Sequence, residues 1–358
     1  MSERLIEVFC DMVQIDSESG EEERFIDYLK DLLEKELEAR CELDAYGNLI
    51  AHVPAKGSDK TEPILLGAHA DTVKPGKGIK PVIEDGVIRS VGETILGADD
   101  KAGIAAILEA VRTAKRRPPV EIVITRGEEV GLLGSKNLDL TMVKSKRGFV
   151  VDGDELDTVI IGGPSHVSLD INIKGKAAHA GMEPEKGISA IRVAAKAIAT
   201  MPEGRIDEET TANVGTIHGG MIRNGVPERV TIQAECRSLN HDKCMRQAEV
   251  MRRAFEEAAK EMGAQIEVKV DLEYKASQVS EDAPVVQLAK QAIAAAGLEP
   301  KTQVITGGTD ALILNGRGID AVVLGFGGKA AHATGEHIAV TDLKQASKVI
   351  HQLLYAAA

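Results

Sequence analysis

The sequence of 358 residues lacks tryptophan altogether, and all aromatic residues together make up only 3% of it. Hydrophobic residues still account for 43% of the chain, so its core must be aliphatic. No apolar run approaches the roughly 20 residues that a membrane-spanning helix needs, so no contact with a membrane is predicted. A formal net charge of −13 excludes the basic face that is typical of nucleic-acid binders, and it fits a cytoplasmic protein.

Cysteine is also scarce, and its spacing excludes one class of metal site. The four cysteines are Cys10, Cys41, Cys236 and Cys244, and none forms a Cys-x-x-Cys pair. Thiolate zinc sites are therefore not expected, and a reducing compartment is the simplest interpretation. The first residues lead into an amphipathic helix and do not resemble a signal peptide, which also favours a cytoplasmic location.

Several short apolar segments end at residues that can bind metal. Pro63–Ala68 leads into His69, Val120–Thr125 precedes a pair of glutamates, and Phe149–Val151 leads into Asp152. Each reads as a buried strand of an α/β fold. Because ligands in such folds bind beyond the carboxyl ends of the strands, we expect these side chains to lie together.

The middle of the chain has a different order of elements. Between about residues 166 and 274 the pattern predicts β-α-β-β-α-β, the order of a ferredoxin-like α+β domain. We therefore predict an inserted domain at residues 164–275. The remaining residues, 1–163 and 276–358, would form one discontinuous α/β domain, a mixed sheet flanked by helices.

Two pairs of candidate ligands near the first strands are ambiguous when taken alone. In an extended His69-x-Asp71 segment both side chains share a face, so Asp71 can accept the ring N–H of His69 while the other nitrogen binds metal. The alternative is a simple cap at the end of the strand. Asp99 and Asp100 precede an apolar helix, where an N-cap is an equally good explanation. We assign metal bridging to Asp99 and capping or structural support to Asp100.

The later candidates have equally plain alternatives. If Glu128 and Glu129 are extended, their side chains point in opposite directions, so that one can bind metal while the other acts on water. A solvated acidic loop is the alternative. Asp152 precedes a glycine, as turn residues often do, and His332 has a rival in His337.

The candidates are more informative as a set than singly. Two histidines and three carboxylates near strand ends can hold two divalent ions. Nitrogen and oxygen donors without thiolate suit zinc, and also cobalt or manganese.

Seven motifs carry a resemblance to the co-catalytic zinc exopeptidases, the family that includes peptidase T, carboxypeptidase G and aminoacylase. They occur in the family's order over essentially the whole chain, and the likeness to peptidase T and related tripeptidases is the strongest. The motifs are Gly67–Val73, Leu96–Gly103, Arg126–Gly131, Val151–Gly153, Gly175–Gly181, Gly307–Asp310 and His332–Glu336.

The resemblance implies that His69 and Asp152 hold one metal ion. Glu129 and His332 would hold the second ion, and Asp99 would bridge the two. The donor His332 is favoured over His337 because the family pattern places a glutamate four residues after the histidine.

The resemblance also implies roles around the metals. Asp71 would orient His69, and Glu128 would be the general base that takes a proton from a metal-activated water. Residues 1–163 and 276–358 would be the catalytic domain, and residues 164–275 a lid or dimerisation domain. In that lid, His179 would stabilise the oxyanion, and Asn224 and Arg237 would contact substrate.

The implied activity is two-metal hydrolysis of short peptides by an aminopeptidase that acts on tripeptides, in a homodimer formed through the lid. One departure bears on specificity: Thr306 stands where peptidase T tends to have an arginine just before Gly-Gly-Thr-Asp. A broader di- or tripeptidase, or a deacylase of N-acyl amino acids, would share the same metals. A catalytically silent metal-binding scaffold is the alternative of another class.

Overall fold

The computed structural model describes residues 3–358. Its helices are α1 (Glu3–Val13), α2 (Glu23–Leu37), α3 (Ala98–Thr113), α4 (Leu133–Asn137), α5 (Ala190–Thr200), α6 (His241–Met262), α7 (Pro284–Ala295), α8 (Asp310–Gly316) and α9 (Val340–Ala357), with short 3₁₀ turns at Leu140–Met142 and Pro184–Lys186. Its strands are β1 (Arg40–Leu43), β2 (Leu49–Val53), β3 (Ile64–His69), β4 (Pro81–Glu84), β5 (Val87–Ser90), β6 (Val120–Thr125), β7 (Arg147–Gly153), β8 (Thr158–Gly163), β9 (Ser165–Lys174), β10 (Gly204–Arg205), β11 (Thr210–Gly219), β12 (Arg229–Ser238), β13 (Gln265–Tyr274), β14 (Ser277–Gln278), β15 (Lys301–Val304), β16 (Asp320–Gly325), β17 (Gly328–Lys329) and β18 (His337–Ala339).

The chain divides into two compact units. The first comprises residues up to Gly162 together with Gln278–Ala358, and the second comprises Gly163–Ser277. None of the helices between residues 3 and 358 has the length and apolar character that a membrane span requires.

The first unit is built on a large mixed sheet. Its strand order runs β1-β2-β6-β3-β7-β16-β8, and β15 also pairs with β8. The four central strands, β6, β3, β7 and β16, are mutually parallel. Strand β2 is antiparallel to β6 and β8 is antiparallel to β16, whereas β15 is parallel to β8. This is the α/β class with a mixed sheet that the sequence predicts.

Alternating side chains of the central strands face two different cores. Leu66 and Phe149 pack into the larger core, together with buried side chains of α1, α2, α3, α7 and α9. Leu65 and Val150 face the opposite side, where residues of α8 and the segment after α4 cover the sheet. Because both faces are covered, the central strands are almost entirely buried, and polar residues occur at their ends.

The second unit has its own antiparallel sheet, of order β10-β11-β12-β9-β13. Its core joins alternate residues of β9 and β12 to the apolar faces of α5 and α6. Without the short β10, the elements follow one another as β-α-β-β-α-β. A smaller sheet in the first unit, β17-β18-β5-β4, includes an antiparallel hairpin of β4 and β5.

The structure corrects one local expectation. The chain at Glu128 and Glu129 was treated as extended, but it forms a turn in which the Leu132 N–H donates to the Glu128 carbonyl at 2.8 Å. Glycines at positions 127 and 131, both with positive φ, allow the chain to turn directly after β6.

Candidate metal centre

His69 is the last residue of β3, and its ring is almost completely buried. The ring Nδ1 lies 2.8 Å from the main-chain carbonyl of Asp71 and 3.5 Å from an oxygen of the Asp71 carboxylate. The carbonyl is therefore the nearer acceptor for the Nδ1 proton, where the sequence had suggested the carboxylate. In this tautomer Nε2 is left with a free lone pair, as a metal ligand requires.

The two oxygens of Asp99 face two different histidines. Oδ1 lies 3.1 Å from Nε2 of His69, and Oδ2 lies 3.3 Å from Nε2 of His332. Asp152 approaches the first histidine, with Oδ1 at 3.5 Å from the same Nε2 of His69. Glu129 approaches the second, with Oε1 at 2.9 Å from Nε2 of His332.

These donor atoms are spaced as the ligands of a small divalent ion would be. Tetrahedral zinc with bonds near 2.0–2.1 Å places neighbouring ligand atoms about 3.3–3.4 Å apart. The donors around each histidine lie 2.9–3.5 Å apart. Donor atoms of His69, Asp99 and Glu129 also fall within 4.8 Å of one another. The residues present therefore fit a metal centre with imidazole and carboxylate ligands.

The turn that carries the two glutamates is held by Asp71. The fully buried carboxylate of Asp71 accepts the N–H of Glu128 at 2.9 Å and the N–H of Glu129 at 3.2 Å. It also accepts the hydroxyl of Ser19 at 2.7 Å. Although burial raises the pKa of Asp71, hydrogen bonds from His69 and Ser19 outweigh it and lower that pKa.

Asp100 supports the site from behind and does not cap its own helix. One of its oxygens accepts the main-chain N–H of His69 at 3.2 Å, and the other has no hydrogen-bond partner among the described residues. Donor atoms of His69, Asp100 and Asp152 also lie within 4.8 Å of one another. Asp100 is completely buried at the start of α3, however, whereas Asp99 remains partly exposed. Asp99 is thus the better placed of the two to meet ions.

The cluster concentrates negative charge in a buried place. The pKa of Asp152 is raised to about 7, chiefly by burial and also by the charges of Asp99 and Asp310, against the lowering effect of His69. Burial also raises the pKa of Glu128, with the charge of Asp152 as the next cause. Such crowding of carboxylates is what a bound cation relieves.

The pKa values of the two histidines are raised as well, because the carboxylates around them stabilise the charged imidazolium form. Hydrogen bonds to Asp99 and Glu129 raise the pKa of His332 to about 10. Burial disfavours the charged form of His69, yet its contacts with Asp152, Asp71 and Asp99 still raise the pKa of that imidazole. Without metal, these imidazoles provide the only positive charge that touches Asp99 among the contacts of the described residues.

The structure separates the two rival histidines. His332 reaches Asp99 and Glu129, whereas the ring of His337 in β18 lies 2.8 Å from the carbonyl of Gly335. Glu336, between them, sends its carboxylate to the main chain at Gly97 and Asp99. The sequence showed Glu336 only as part of a motif, because nothing in it indicates which groups a side chain meets across the fold.

Two further residues of the site were not anticipated. Ser19 contacts Asp71 from the segment before α2, and Asp310, at the start of α8, accepts a hydrogen bond from the hydroxyl of Thr125. The Gly307–Asp310 motif could have indicated that Asp310 belongs to the site. Nothing in the sequence indicates this for Ser19 except that it lies in a polar loop.

Two of the predicted lid residues are neighbours within the second unit. His179 forms an isolated bridge with Gly225, and the adjacent Ala180 N–H donates to the Asn224 carbonyl at 3.0 Å. The exposed His179 ring accepts main-chain N–H groups of Gly181 and Met182 at Nδ1, each at 3.2 Å. Its neutral form therefore carries the proton on Nε2, where it can be donated outward.

Arg237 is not brought to that pair. Strand β12 begins at Arg229, a few residues after Asn224. Arg237 lies eight residues farther along this strand, about 26 Å from Arg229. There its guanidinium contacts Glu235 at 3.0 Å, and Glu235 also contacts His166 at 2.8 Å.

Imidazole and carboxylate donors gathered beyond the strand ends of a mixed α/β sheet define the class of metal-dependent hydrolases. The chain belongs to Peptidase family M20/M25/M40, whose pattern matches residues 65–356. It is therefore a metallopeptidase of this family.

The chain is similar over nearly its whole length to several known proteins. It is 41% identical to the uncharacterized protein YqjE of Bacillus subtilis (strain 168), over 99% of this chain and 98% of that protein. Among solved structures, aminopeptidase PepT from Bacillus cereus ATCC 10987 is 40% identical, with a TM-score of 0.87 and coverage of 99% and 98%. A tripeptidase from Staphylococcus aureus subsp. aureus Mu50 is 35% identical, with a TM-score of 0.92 and the same coverage.

Proposed function

We propose that this protein is a two-metal aminopeptidase that removes the N-terminal residue from short peptides, with tripeptides as its principal substrates. The observation that carries the proposal is the placement of Asp99, whose two oxygens lie 3.1 Å and 3.3 Å from the Nε2 atoms of two different histidines. A carboxylate so placed can bridge two ions. The tripeptide preference rests on the similarity to an aminopeptidase and a tripeptidase.

Each proposed ion has its own set of donors. His69, Asp152 and one oxygen of Asp99 would hold the first ion, and His332, Glu129 and the other oxygen would hold the second. Zinc suits these donors, and cobalt or manganese would also be accepted. When bound, such a pair of ions supplies Lewis-acid activation of water and of the scissile carbonyl.

Glu128 is the group proposed to move the proton. Asp71 fixes the main chain at Glu128 and Glu129, so the adjacent glutamates can take different roles. Glu129 contacts His332, and Glu128 has no such contact among the described residues. In the hydrolysis, Glu128 would take a proton from the attacking water and return it to the leaving amine, as the amide C–N bond breaks.

The second unit carries the residues proposed to contact the substrate. The outward Nε2 proton of His179 is suited to stabilise the developing oxyanion, and Asn224 lies beside it to contact substrate. Arg237 would bind a substrate carboxylate at a separate place. We propose that this unit acts as a lid and that it also forms a homodimer.

A broader di- or tripeptidase, or a deacylase of N-acyl amino acids, is the second candidate, and Thr306 leaves both open. An arginine just before Gly307 would bind a carboxylate of the substrate, whereas a threonine offers only a neutral hydroxyl. Loss of that charge would relax the selection for a particular peptide length.

A substrate panel tests the proposal. The metal-free protein would be reloaded separately with zinc, cobalt and manganese, then assayed with matched dipeptides, tripeptides and N-acyl amino acids. We expect tripeptides with a free N-terminus to give the highest kcat/KM, and N-terminally blocked copies to be cleaved poorly. Faster cleavage of N-acyl amino acids would favour the deacylase, and metal binding without hydrolysis of any member would indicate a scaffold.

A further inference from the structure

Glu336 is a buried acid that none of the proposed steps uses. Only 3% of its surface is exposed, and both oxygens are engaged by main-chain donors more than 230 residues away in sequence. Oε2 accepts the N–H of Gly97 at 2.6 Å, and Oε1 accepts the N–H of Asp99 at 2.9 Å. The carboxylate of Glu336 therefore holds both ends of the short segment Gly97–Asp99 by hydrogen bonds.

The same carboxylate is tied to the second histidine. Glu336 lies four residues after His332, and its own N–H donates to the carbonyl of Ala333 at 2.9 Å, which closes a tight turn. His332, directly before this turn, adopts a positive φ of 63°. One short segment thus supplies a histidine that faces Asp99 and also the acceptor that holds the main chain of Asp99.

We infer that Glu336 is a positioning residue that fixes the carboxylate of Asp99 between His69 and His332, so that both metal ions can bind together. This inference rests on the proposed two-metal function. Glu336 touches neither substrate nor metal donor atoms, and it acts through the main chain of Asp99. Its effect should fall on metal affinity, most of all for the ion that depends on His332.

A glutamine at this position cannot replace the carboxylate. Two N–H donors face Glu336, and the carboxylate offers one oxygen to each. An amide has a single oxygen, so its NH₂ group would point at one of the donors and leave a buried N–H unsatisfied. The side-chain volume hardly changes, and so Glu336→Gln removes one of the two hydrogen bonds without opening a cavity.

The chain offers a matched control in Glu121. This buried glutamate also accepts two main-chain N–H groups, those of Lys144 and Ser145, at 2.8–3.0 Å. It lies near the start of β6, whereas the metal ligands follow the end of that strand. Glu121→Gln therefore reports the general cost of this substitution at a site remote from the metals.

The test compares the binding of Co²⁺ to the metal-free wild type and to both variants, by calorimetry and by the visible absorption of bound cobalt. For Glu336→Gln we expect the affinity for one of two ions to fall about 10- to 100-fold, with a changed cobalt spectrum. For Glu121→Gln we expect both affinities and the spectrum to match the wild type. Thermal unfolding of the metal-free proteins measures the structural cost of each substitution.

The outcomes separate this inference from the proposed function. If Glu336→Gln binds two ions as tightly as the wild type and loses only stability, as Glu121→Gln does, the positioning role is wrong. If the wild type itself binds only one ion, the two-metal proposal fails before Glu336 is considered. Should Glu336→Gln not fold, Glu336→Asp takes its place, with Glu121→Asp as control, and unchanged affinity for both ions would equally overturn the inference.

Discussion

At the scale of the residue, neighbouring acidic side chains of the metal centre contact different partners. Asp99 faces two imidazoles, while Asp100, the next residue, turns inward and accepts the main-chain N–H of His69. Glu129 reaches His332, while Glu128 is left without such a contact. Adjacent carboxylates can differ in this way because each main-chain turn sends successive side chains into different surroundings.

The division of the glutamates can be tested by removing them one at a time. Glu128→Ala should keep both metal ions and lose about 100- to 10,000-fold in kcat, since a general base commonly contributes that much. Glu129→Ala should instead lose a metal ion, because it deletes a proposed ligand. Metal analysis by mass spectrometry and steady-state kinetics measure the two effects.

The two variants serve as controls for each other, since the positions are adjacent and equally close to Asp71. Loss of metal from Glu128→Ala would make Glu128 a ligand. Retained turnover in that variant would remove it from the role of base.

At the scale of the element, α3 lies unusually close to the sheet at Gly103. A Cβ at this position would lie 2.1 Å from the carbonyl oxygen of Val151 and 2.1 Å from Oδ1 of Asp100. Only a residue without a side chain allows the helix to approach there. That approach brings Asp99 and Asp100, at the start of the helix, up to the end of β7 that carries Asp152.

Gly103→Ala should therefore lower the free energy of unfolding by about 3 kcal/mol or more, because backbone and a buried carboxylate would both have to shift. It should also weaken metal binding. Gly316→Ala in α8 is the matched control, since a Cβ there has nothing within 4 Å. This control should raise the stability by about 0.4–1 kcal/mol. Urea denaturation of the metal-free proteins compares them, and equal effects would contradict the close packing.

In the second unit, an ionic contact links two strands. Glu235 on β12 contacts His166 on β9 and Arg237 on its own strand. The pKa of Glu235 is lowered from 4.5 to about 2. The hydrogen bond from His166 contributes most to this shift, burial opposes it, and the hydrogen bond from Arg237 also contributes.

The depressed pKa predicts a dependence of stability on pH. Because the folded value lies below the unfolded value, the stabilisation is fully present above pH 4.5 and is lost as the pH falls toward 2. Glu235→Gln should lower the urea midpoint at neutral pH and should flatten its decline in acid. Glu267→Gln, at an exposed position on β13, should keep the wild-type slope, and an equally steep slope in Glu235→Gln would contradict the assignment.

At the scale of the whole molecule, the proposed dimer has a testable surface. Met221 and Ile222, in the loop between β11 and β12, are 99% and 67% exposed, which is unusual for large apolar side chains. If the second unit forms the dimer, Met221→Glu should shift the protein toward monomer in sedimentation velocity runs over a range of concentrations.

Ile83→Glu is the control for that prediction. Ile83 is also an exposed isoleucine, at 51%, but it lies on β4 in the first unit. It should leave the association unchanged. A wild type that stays monomeric at every concentration would rule out the dimer, and an intact dimer in Met221→Glu would place the interface elsewhere.

Much of the fold could be predicted because local sequence patterns indicate its helices and strands. Val120–Thr125 has the predicted bounds, since a short apolar run indicates a buried strand. The turn at Glu128 and the start of α8 at Asp310 could not be read this way. At the turn the Glu128 N–H donates to the carboxylate of Asp71, and at α8 the Thr125 hydroxyl donates to Asp310, so both depend on partners from distant parts of the chain.

The sequence by itself determined the α/β class, the order of the elements and the set of residues that can bind metal, because periodicity and donor chemistry are properties of the local chain. Only the tertiary structure decided which oxygen faces which histidine, that Asp100 supports His69, and that Glu336 holds the Asp99 segment. Those facts depend on contacts between residues as far as 239 positions apart. Such contacts form only when the strands, helices and turns have packed, and no local pattern records them.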